Sequence, residues 1–190
     1  MHRRLAACVL VFALALASCG GAGAGPTPPL SATPLPIFSL TSSAFAAGAP
    51  IPTRYTCDGA GITPPLSWSG VPSQSAALAL VVDDPDAPRG DFTHWLLYDL
   101  PAAATALPEG VPATGQPPTG GAQGRNDAGT LGYTPPCPPS GNPHHYHFTL
   151  YVLDRPLGLT PGASRAQVAD ALRGHVLAQG ELVATYRRGG

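Results

Sequence analysis

The apolar and polar positions of the chain fall into short runs broken by turns. The clearest run, Leu78 to Val82, is almost wholly apolar and predicts a strand buried on both faces. It ends in Asp83-Asp84-Pro85-Asp86-Ala87-Pro88, where two prolines stiffen a turn and set carboxylates at the mouth of a core strand. A second strand is expected from Phe92 to Leu100, with period-2 alternation placing Phe92, His94, Leu96 and Tyr98 on one face. The stretch Asn142 to Leu153 alternates as well: His144, Tyr146, Phe148, Leu150 and Val152 face inward, His145, His147, Thr149 and Tyr151 outward. Further strands are predicted near Ile37 to Leu40 and from Glu181 to Tyr186, with an irregular stretch over Thr53 to Trp68 and a long Pro/Gly-rich loop from Pro101 to Pro136. Ser164-Arg165-Ala166-Gln167 has the form of a capping box ahead of Val168, Ala171, Leu172 and His175 at helical spacing, which predicts one carboxy-terminal helix.

Composition agrees with a chain of short strands. There are 23 glycines and 24 prolines, and they lie between the apolar runs rather than within them. Charged residues make up only 11% of the chain, the net charge is -1, and all ten basic residues are arginines spread thinly along it. No basic patch points to nucleic acid as a partner.

The first 36 residues differ from the rest. His2, Arg3 and Arg4 precede the apolar stretch Leu5 to Ala17, and Leu16-Ala17-Ser18-Cys19 has the form of a bacterial lipoprotein cleavage box. Thirteen apolar residues are too few for the roughly 20 that a membrane-crossing helix needs. Residues 1–18 are therefore expected to be a signal peptide and Cys19 the lipidated first residue of a protein anchored in the bacterial envelope, outside the cytoplasm; ordinary secretory cleavage is the rival reading. Residues 19–36 are reduced to Gly, Ala, Pro, Thr and Ser with Leu30 and Leu35, and cannot bury enough surface to offset their ordering entropy, so they are expected to form a tether. Residues 37–190 are enough for one domain with a real core.

Asp84-Pro85-Asp86-Ala87-Pro88 with His94-Trp95, followed by His144-His145-Tyr146, resembles the two signature regions of the phosphatidylethanolamine-binding protein family, also called Raf-kinase-inhibitor-like proteins. Tyr55-Thr56-Cys57-Asp58-Gly59, Pro64-Pro65-Leu66-Ser67-Trp68, Gly124-Arg125-Asn126-Asp127, Cys137-Pro138-Pro139-Ser140-Gly141 and Gly174-His175-Val176-Leu177-Ala178 resemble its bacterial branch. With the strand pattern, the resemblance implies a mostly β domain in which antiparallel sheets pack face to face, with one carboxy-terminal helix and short helical turns.

It also implies a ligand site at Asp84, Asp86, His94, His144 and Tyr146 beside the run Pro135 to Pro139, with Pro136 in its wall. The pocket would take a phosphate-like anion or a phospholipid head group, for which imidazole and phenol groups supply donors. Asp84 opposes this, because a carboxylate about 4 Å from an anion costs on the order of 4 kcal/mol at an effective dielectric near 20. Either a protonated His94 or His144 offsets it, or the carboxyl is itself protonated and donates, or Asp84 faces the cationic part of the ligand; binding is expected to strengthen as pH falls through the histidine range. The bland alternatives are Asp83, Asp84 and Asp86 as turn-capping residues and His94 as a core histidine with its hydrogen bonds satisfied.

The implied function is a non-enzymatic binding module without a cofactor. A protein-binding regulator resembling protease or kinase inhibitors is the alternative, with the loop Pro101 to Pro136 as contact surface, and a weak phosphoester hydrolase is the third reading. No nucleophile has a signature context. Strand alternation splits the histidine cluster across two faces and leaves at most His94, His144 and a carboxylate together. Three such ligands could hold zinc, but the resemblance is to a family that is not metal-dependent and no pattern of residues to orient the ligands is legible, so no metal is expected. With Cys8 in the signal and Cys19 lipidated, Cys57 and Cys137 remain in an oxidising compartment. A bridge between them and a pair of reduced neighbours lining the pocket, as in relatives without an export signal, both stay open.

Overall fold

A computed structural model describes residues 37–189. The expected signal peptide at 1–18, the lipid-bearing Cys19 and the tether at 19–36 lie outside the described residues. In chain order the strands are β1 (Ser39–Thr41), β2 (Leu66–Ser69), β3 (Ala77–Asp84), β4 (Phe92–Pro101), β5 (Ala106–Leu107), β6 (Ala122–Gln123), β7 (His144–Leu153) and β8 (Val176–Tyr186), with the helix α1 (Arg165–Leu172) before β8. One short helical turn spans Thr53–Tyr55.

Five strands form one antiparallel sheet in the order β6-β4-β3-β7-β8, and three form another in the order β1-β2-β5. The main core lies between them. Leu78, Leu80, Val82, Trp95, Leu97, Phe148 and Leu150 of the large sheet meet Phe38, Leu40, Leu66, Trp68 and Leu107 from the side of the small one. The other face of the large sheet is covered by α1: Ala77, Ala79, Val81, Leu96 and Tyr98 pack on Ala163, Val168 and Leu172. Small residues at Ala77 and Ala79 let the helix approach closely. With apolar layers on both sides, every residue from Ala77 to Val82 is at most 2% exposed, the environment its unbroken apolar run predicts.

The helix begins where the sequence places it. Ser164 Oγ accepts from the Gln167 N–H at 3.3 Å, and Gln167 Oε1 accepts from the Ser164 N–H at 2.9 Å, so two of the four open donors of the first turn are satisfied. It ends at Leu172, one turn short of the apolar spacing. Gly174 takes a positive φ of 77° and His175 turns out to pair with Asp154.

Three expectations are corrected. The stretch Thr53 to Trp68 is not wholly irregular, since β2 occupies its end with Leu66 and Trp68 inward. The last strand begins at Val176 rather than Glu181. The face assigned to β4 is also wrong past His94. Val82 pairs with Trp95 but Asp83 pairs with Thr93, so His94 is an extra residue in the ladder. Such a bulge sets two consecutive residues against one on the partner strand. His94 therefore shares its side with Trp95 and Leu97 in the main core, while Leu96 and Tyr98 point to the helix.

Candidate functional site

Antiparallel pairing brings the carboxyl end of β3 beside the amino ends of β4 and β7. The core-facing row of β3 runs Leu78, Leu80, Val82 and ends in Asp84; the core-facing row of β7 begins with His144 and Tyr146. The bulge adds His94 from β4. These four residues line a pocket of about 190 Å³ with Phe92, and Thr134, Pro135, Cys137, Pro138 and Pro139 form its far wall. At about 30 Å³ of liquid volume per water, this is room for roughly six waters, or one small charged group.

Each polar group is held from behind. Asp84 is 3% exposed; its Oδ2 accepts from His144 Nδ1 at 2.8 Å and its Oδ1 from the Asp86 N–H at 2.9 Å. His94 donates from Nδ1 to the Thr134 carbonyl at 2.8 Å, and its own carbonyl accepts from the Thr134 N–H at 2.9 Å. The bulge makes this second bond available, because the extra residue is left out of the ladder. The residue before it is fixed by Asp127, whose Oδ2 accepts from the Thr93 N–H at 2.7 Å and whose N–H donates to the Thr93 carbonyl at 3.0 Å. Both imidazoles thus have Nδ1 committed, and neither Nε2 makes a hydrogen bond among the described residues.

Tyr146 differs. It is fully buried, its ring meets His94 edge-on at 5.2 Å between centroids, and its hydroxyl finds no partner among the described residues. The Asp84 carboxylate still acts on it, beyond full hydrogen-bond distance: burial first, that charge second and its long contact with the hydroxyl third hold the phenol well above its ordinary pKa. Burial likewise pushes the His94 imidazole below its ordinary value, outweighing the Thr134 carbonyl and the carboxylates of Asp84, Asp83 and Asp127, which favour the charged ring.

Two residues expected at the site stand outside the pocket lining. Asp86 faces the other way past Pro85, where its carboxylate accepts from the backbone N–H and ring Nδ1 of His145 at 2.8 and 2.7 Å. Pro136 is buried behind the wall, its carbonyl accepting from the Cys57 N–H at 3.0 Å. Asp83 belongs to β3 rather than to the turn and pairs with Arg165 at the start of α1. His147 pairs across strands with Glu181. Cys57 and Cys137 form a disulfide with their Cα atoms 5.3 Å apart, inside the usual range, and Cys137 is part of the pocket wall.

Gln123, which nothing in the sequence singled out, proves central to the loop between β4 and β7. Fully buried, it accepts from Trp95 Nε1 at 2.6 Å and donates to the Pro112 and Thr114 carbonyls at 2.8 and 2.7 Å. Asn126 does the same nearer the site, bonding Thr130 and the Gly132 carbonyl. The long segment is therefore tied down, and it delivers Thr134 to His94. A larger open groove of about 540 Å³ between Trp68 and Thr105 contains no titratable side chain.

A model of the phosphatidylethanolamine-binding protein family matches residues 41–187. A UPF0098 protein of Methanothermobacter thermautotrophicus is 53% identical over 151 residues, covering 80% of this chain and 99% of that one. LppC of Mycobacterium tuberculosis, a protein named as a lipoprotein, is 45% identical over 161 residues, covering 84% and 76%. Among solved structures, Escherichia coli YbcL, described as a new member of the mammalian family, matches with a TM-score of 0.75 at 34% identity over 80% of this chain and 99% of that one. A Chlamydia trachomatis homologue of phosphatidylethanolamine-binding protein matches with a TM-score of 0.74 at 42% identity, covering the same shares. No helix among the described residues is long and apolar enough to cross a membrane.

Proposed function

We propose that this chain, which belongs to the phosphatidylethanolamine-binding protein family, binds a small phosphate-like anion or phospho-head-group in the pocket of Asp84, His94, His144 and Tyr146 and carries out no reaction on it. The observation that carries this reading is the Tyr146 hydroxyl, buried in the pocket without a partner. An unmet buried hydroxyl costs about 1–3 kcal/mol, which an anionic oxygen would recover. The Nε2 atoms of His94 and His144 are unengaged as well; each accepts a hydrogen bond when its ring is neutral and donates one to an oxyanion when its ring is protonated. The volume favours a head group over an acyl chain, since pockets for larger ligands run to about 300 Å³ and above.

A hydrolase reading gains nothing from the geometry. Asp84 and His144 make an acid–imidazole pair, but the one lining thiol position, Cys137, is in the disulfide, and Thr134 spends its backbone on His94 without a base at its hydroxyl. The regulator reading is weakened for the proposed contact surface, because the loop from Pro101 to Pro136 is held by buried Gln123 and Asn126.

Export and lipid anchoring at Cys19 belong to the same proposal. They are supported by the cleavage-box sequence, by a relative named as a lipoprotein, and by the Cys57–Cys137 bond, which suits an oxidising compartment. Labelled fatty acid should enter the chain in cells and be lost with Cys19→Ala; labelling that survives the substitution would refute the anchor. For the pocket, calorimetric titration with phosphate and phosphoethanolamine at pH 5.5 and 7.5 should show saturable binding that is tighter at the lower pH and absent from His144→Ala. Binding unchanged by that substitution would refute the site.

A further inference from the structure

We propose that the pocket selects anions that bring a proton of their own, phosphomonoesters and phosphonates in their singly charged form, over phosphodiesters and over dianions. This deepens the reading above and rests on it. The selection follows from the directions of the hydrogen bonds. The Thr134 carbonyl can only accept, so the His94 nitrogen 2.8 Å away, Nδ1, carries the ring proton. In the neutral ring, Nε2 is then a lone pair and can only accept. Burial keeps the ring neutral to lower pH than an ordinary imidazole. The Tyr146 hydroxyl, with its proton held tightly, is a donor. The pocket therefore presents at least one fixed acceptor and one fixed donor, while His144, bound to Asp84 through Nδ1, offers its Nε2 as a third group.

The charges point the same way. Asp84 has both oxygens engaged, by the Asp86 N–H and His144 Nδ1, and it contributes negative charge to the pocket. The carboxylates of Asp83 and Asp127 also act on His94, and no arginine among the described residues lines the pocket. Arg165, bound to Asp83, belongs to the amino end of α1. A dianion meets repulsion without a fixed cation to offset it. A singly protonated phosphomonoester fits: its P–OH donates to His94 Nε2 and an unprotonated oxygen accepts from Tyr146. A diester has the right charge but no P–OH, so an anionic oxygen or an ester oxygen would face the His94 lone pair.

The test is calorimetry on the full chain with methyl phosphate, dimethyl phosphate and sulfate between pH 5 and pH 8. Methyl phosphate should bind about tenfold or more tightly than dimethyl phosphate at pH 5.5, the worth of one hydrogen bond to a charged group. Its apparent affinity should fall by about two orders of magnitude from pH 5 to pH 8, tracking its second ionisation near ~6. Dimethyl phosphate binding as tightly as methyl phosphate would overturn the proposal while leaving the anion pocket intact. So would sulfate with the same pH dependence as methyl phosphate, since that dependence would belong to His94 and not to the ligand. Failure of all three to bind at tens of millimolar would overturn the anion pocket itself. His94→Gln, whose amide can turn a donor towards the ligand, should reduce the preference for methyl over dimethyl phosphate to near unity; a preserved preference contradicts the assignment.

Discussion

Tyr146→Phe removes one oxygen atom and should move stability and binding in opposite directions. In the free protein that oxygen is buried and has no hydrogen-bond partner within 3.5 Å among the described residues, so it has lost water without gaining a full bond from the protein. The penalty for such a group is about 1–3 kcal/mol. Phenylalanine keeps the ring and its edge-on contact with His94, so no cavity larger than the hydroxyl is left. The variant should be more stable by about 1 kcal/mol or more, raising Tm by roughly 2–4 °C per kcal/mol for a domain of this size. Its urea midpoint should rise with an unchanged m value. The same change removes a donor to a charged ligand, worth about 1.5–3 kcal/mol, so phosphate affinity should drop about 10- to 100-fold. Urea unfolding and calorimetry on the same preparations measure both. A less stable variant would mean that the hydroxyl is satisfied in the free protein, and an unchanged affinity would mean that it does not touch the ligand; either result refutes the reasoning.

Three further predictions concern the frame of the site. The Cys57–Cys137 bond closes a separation of 80 residues, so Cys57→Ala/Cys137→Ala should lose about 4.5 kcal/mol in the chain-entropy model, read as a lower urea midpoint; a loss below about 1 kcal/mol would contradict it. Gln123→Leu leaves the Trp95 indole N–H and two carbonyls unpaired and should cost about 3 kcal/mol or more in denaturant unfolding, whereas a near-neutral effect would mean those groups find other partners. The depressed pKa of buried His94 makes the unfolded chain bind more protons below the ordinary imidazole value. This contribution is complete above about pH 6.5 and is lost as pH falls through the lower folded value, so His94→Gln should show a shallower fall in stability from pH 7 to pH 5 than the parent; equal slopes would contradict the assignment.

What could be read in the sequence was local. The alternation of β7 is unbroken from His144 to Val152, so its inward face follows from period 2 alone, and the capping box of α1 is complete within four residues. β4 was half legible: one extra residue at His94 reverses the face of Trp95 to Tyr98, a second irregularity before Leu100 restores it, and a bulge leaves no mark on hydrophobic alternation when Trp95, Leu96 and Leu97 are all apolar. Leu66-Ser67-Trp68-Ser69 does alternate, but four residues among prolines are too short to separate from a turn. Gln123 was invisible, since a lone glutamine in a Gly-rich loop looks exposed unless its indole and carbonyl partners are known. Asp84 and Asp86 look equivalent around Pro85, yet only the register of β3 decides that one closes a core row and the other reaches His145. The disulfide depended on a Cα separation that no sequence contains.

The most direct test of the anion pocket is a phosphate titration of the protein labelled with ¹⁵N in its histidine rings. His94 and His144 enter the pocket with Nε2 unengaged, while His147 and His175 pair with Glu181 and Asp154 away from it. The account predicts saturable shifts at the Nε2 atoms of His94 and His144, with His147 and His175 unmoved. Shifts at the outer histidines alone, or none up to tens of millimolar phosphate, would contradict it.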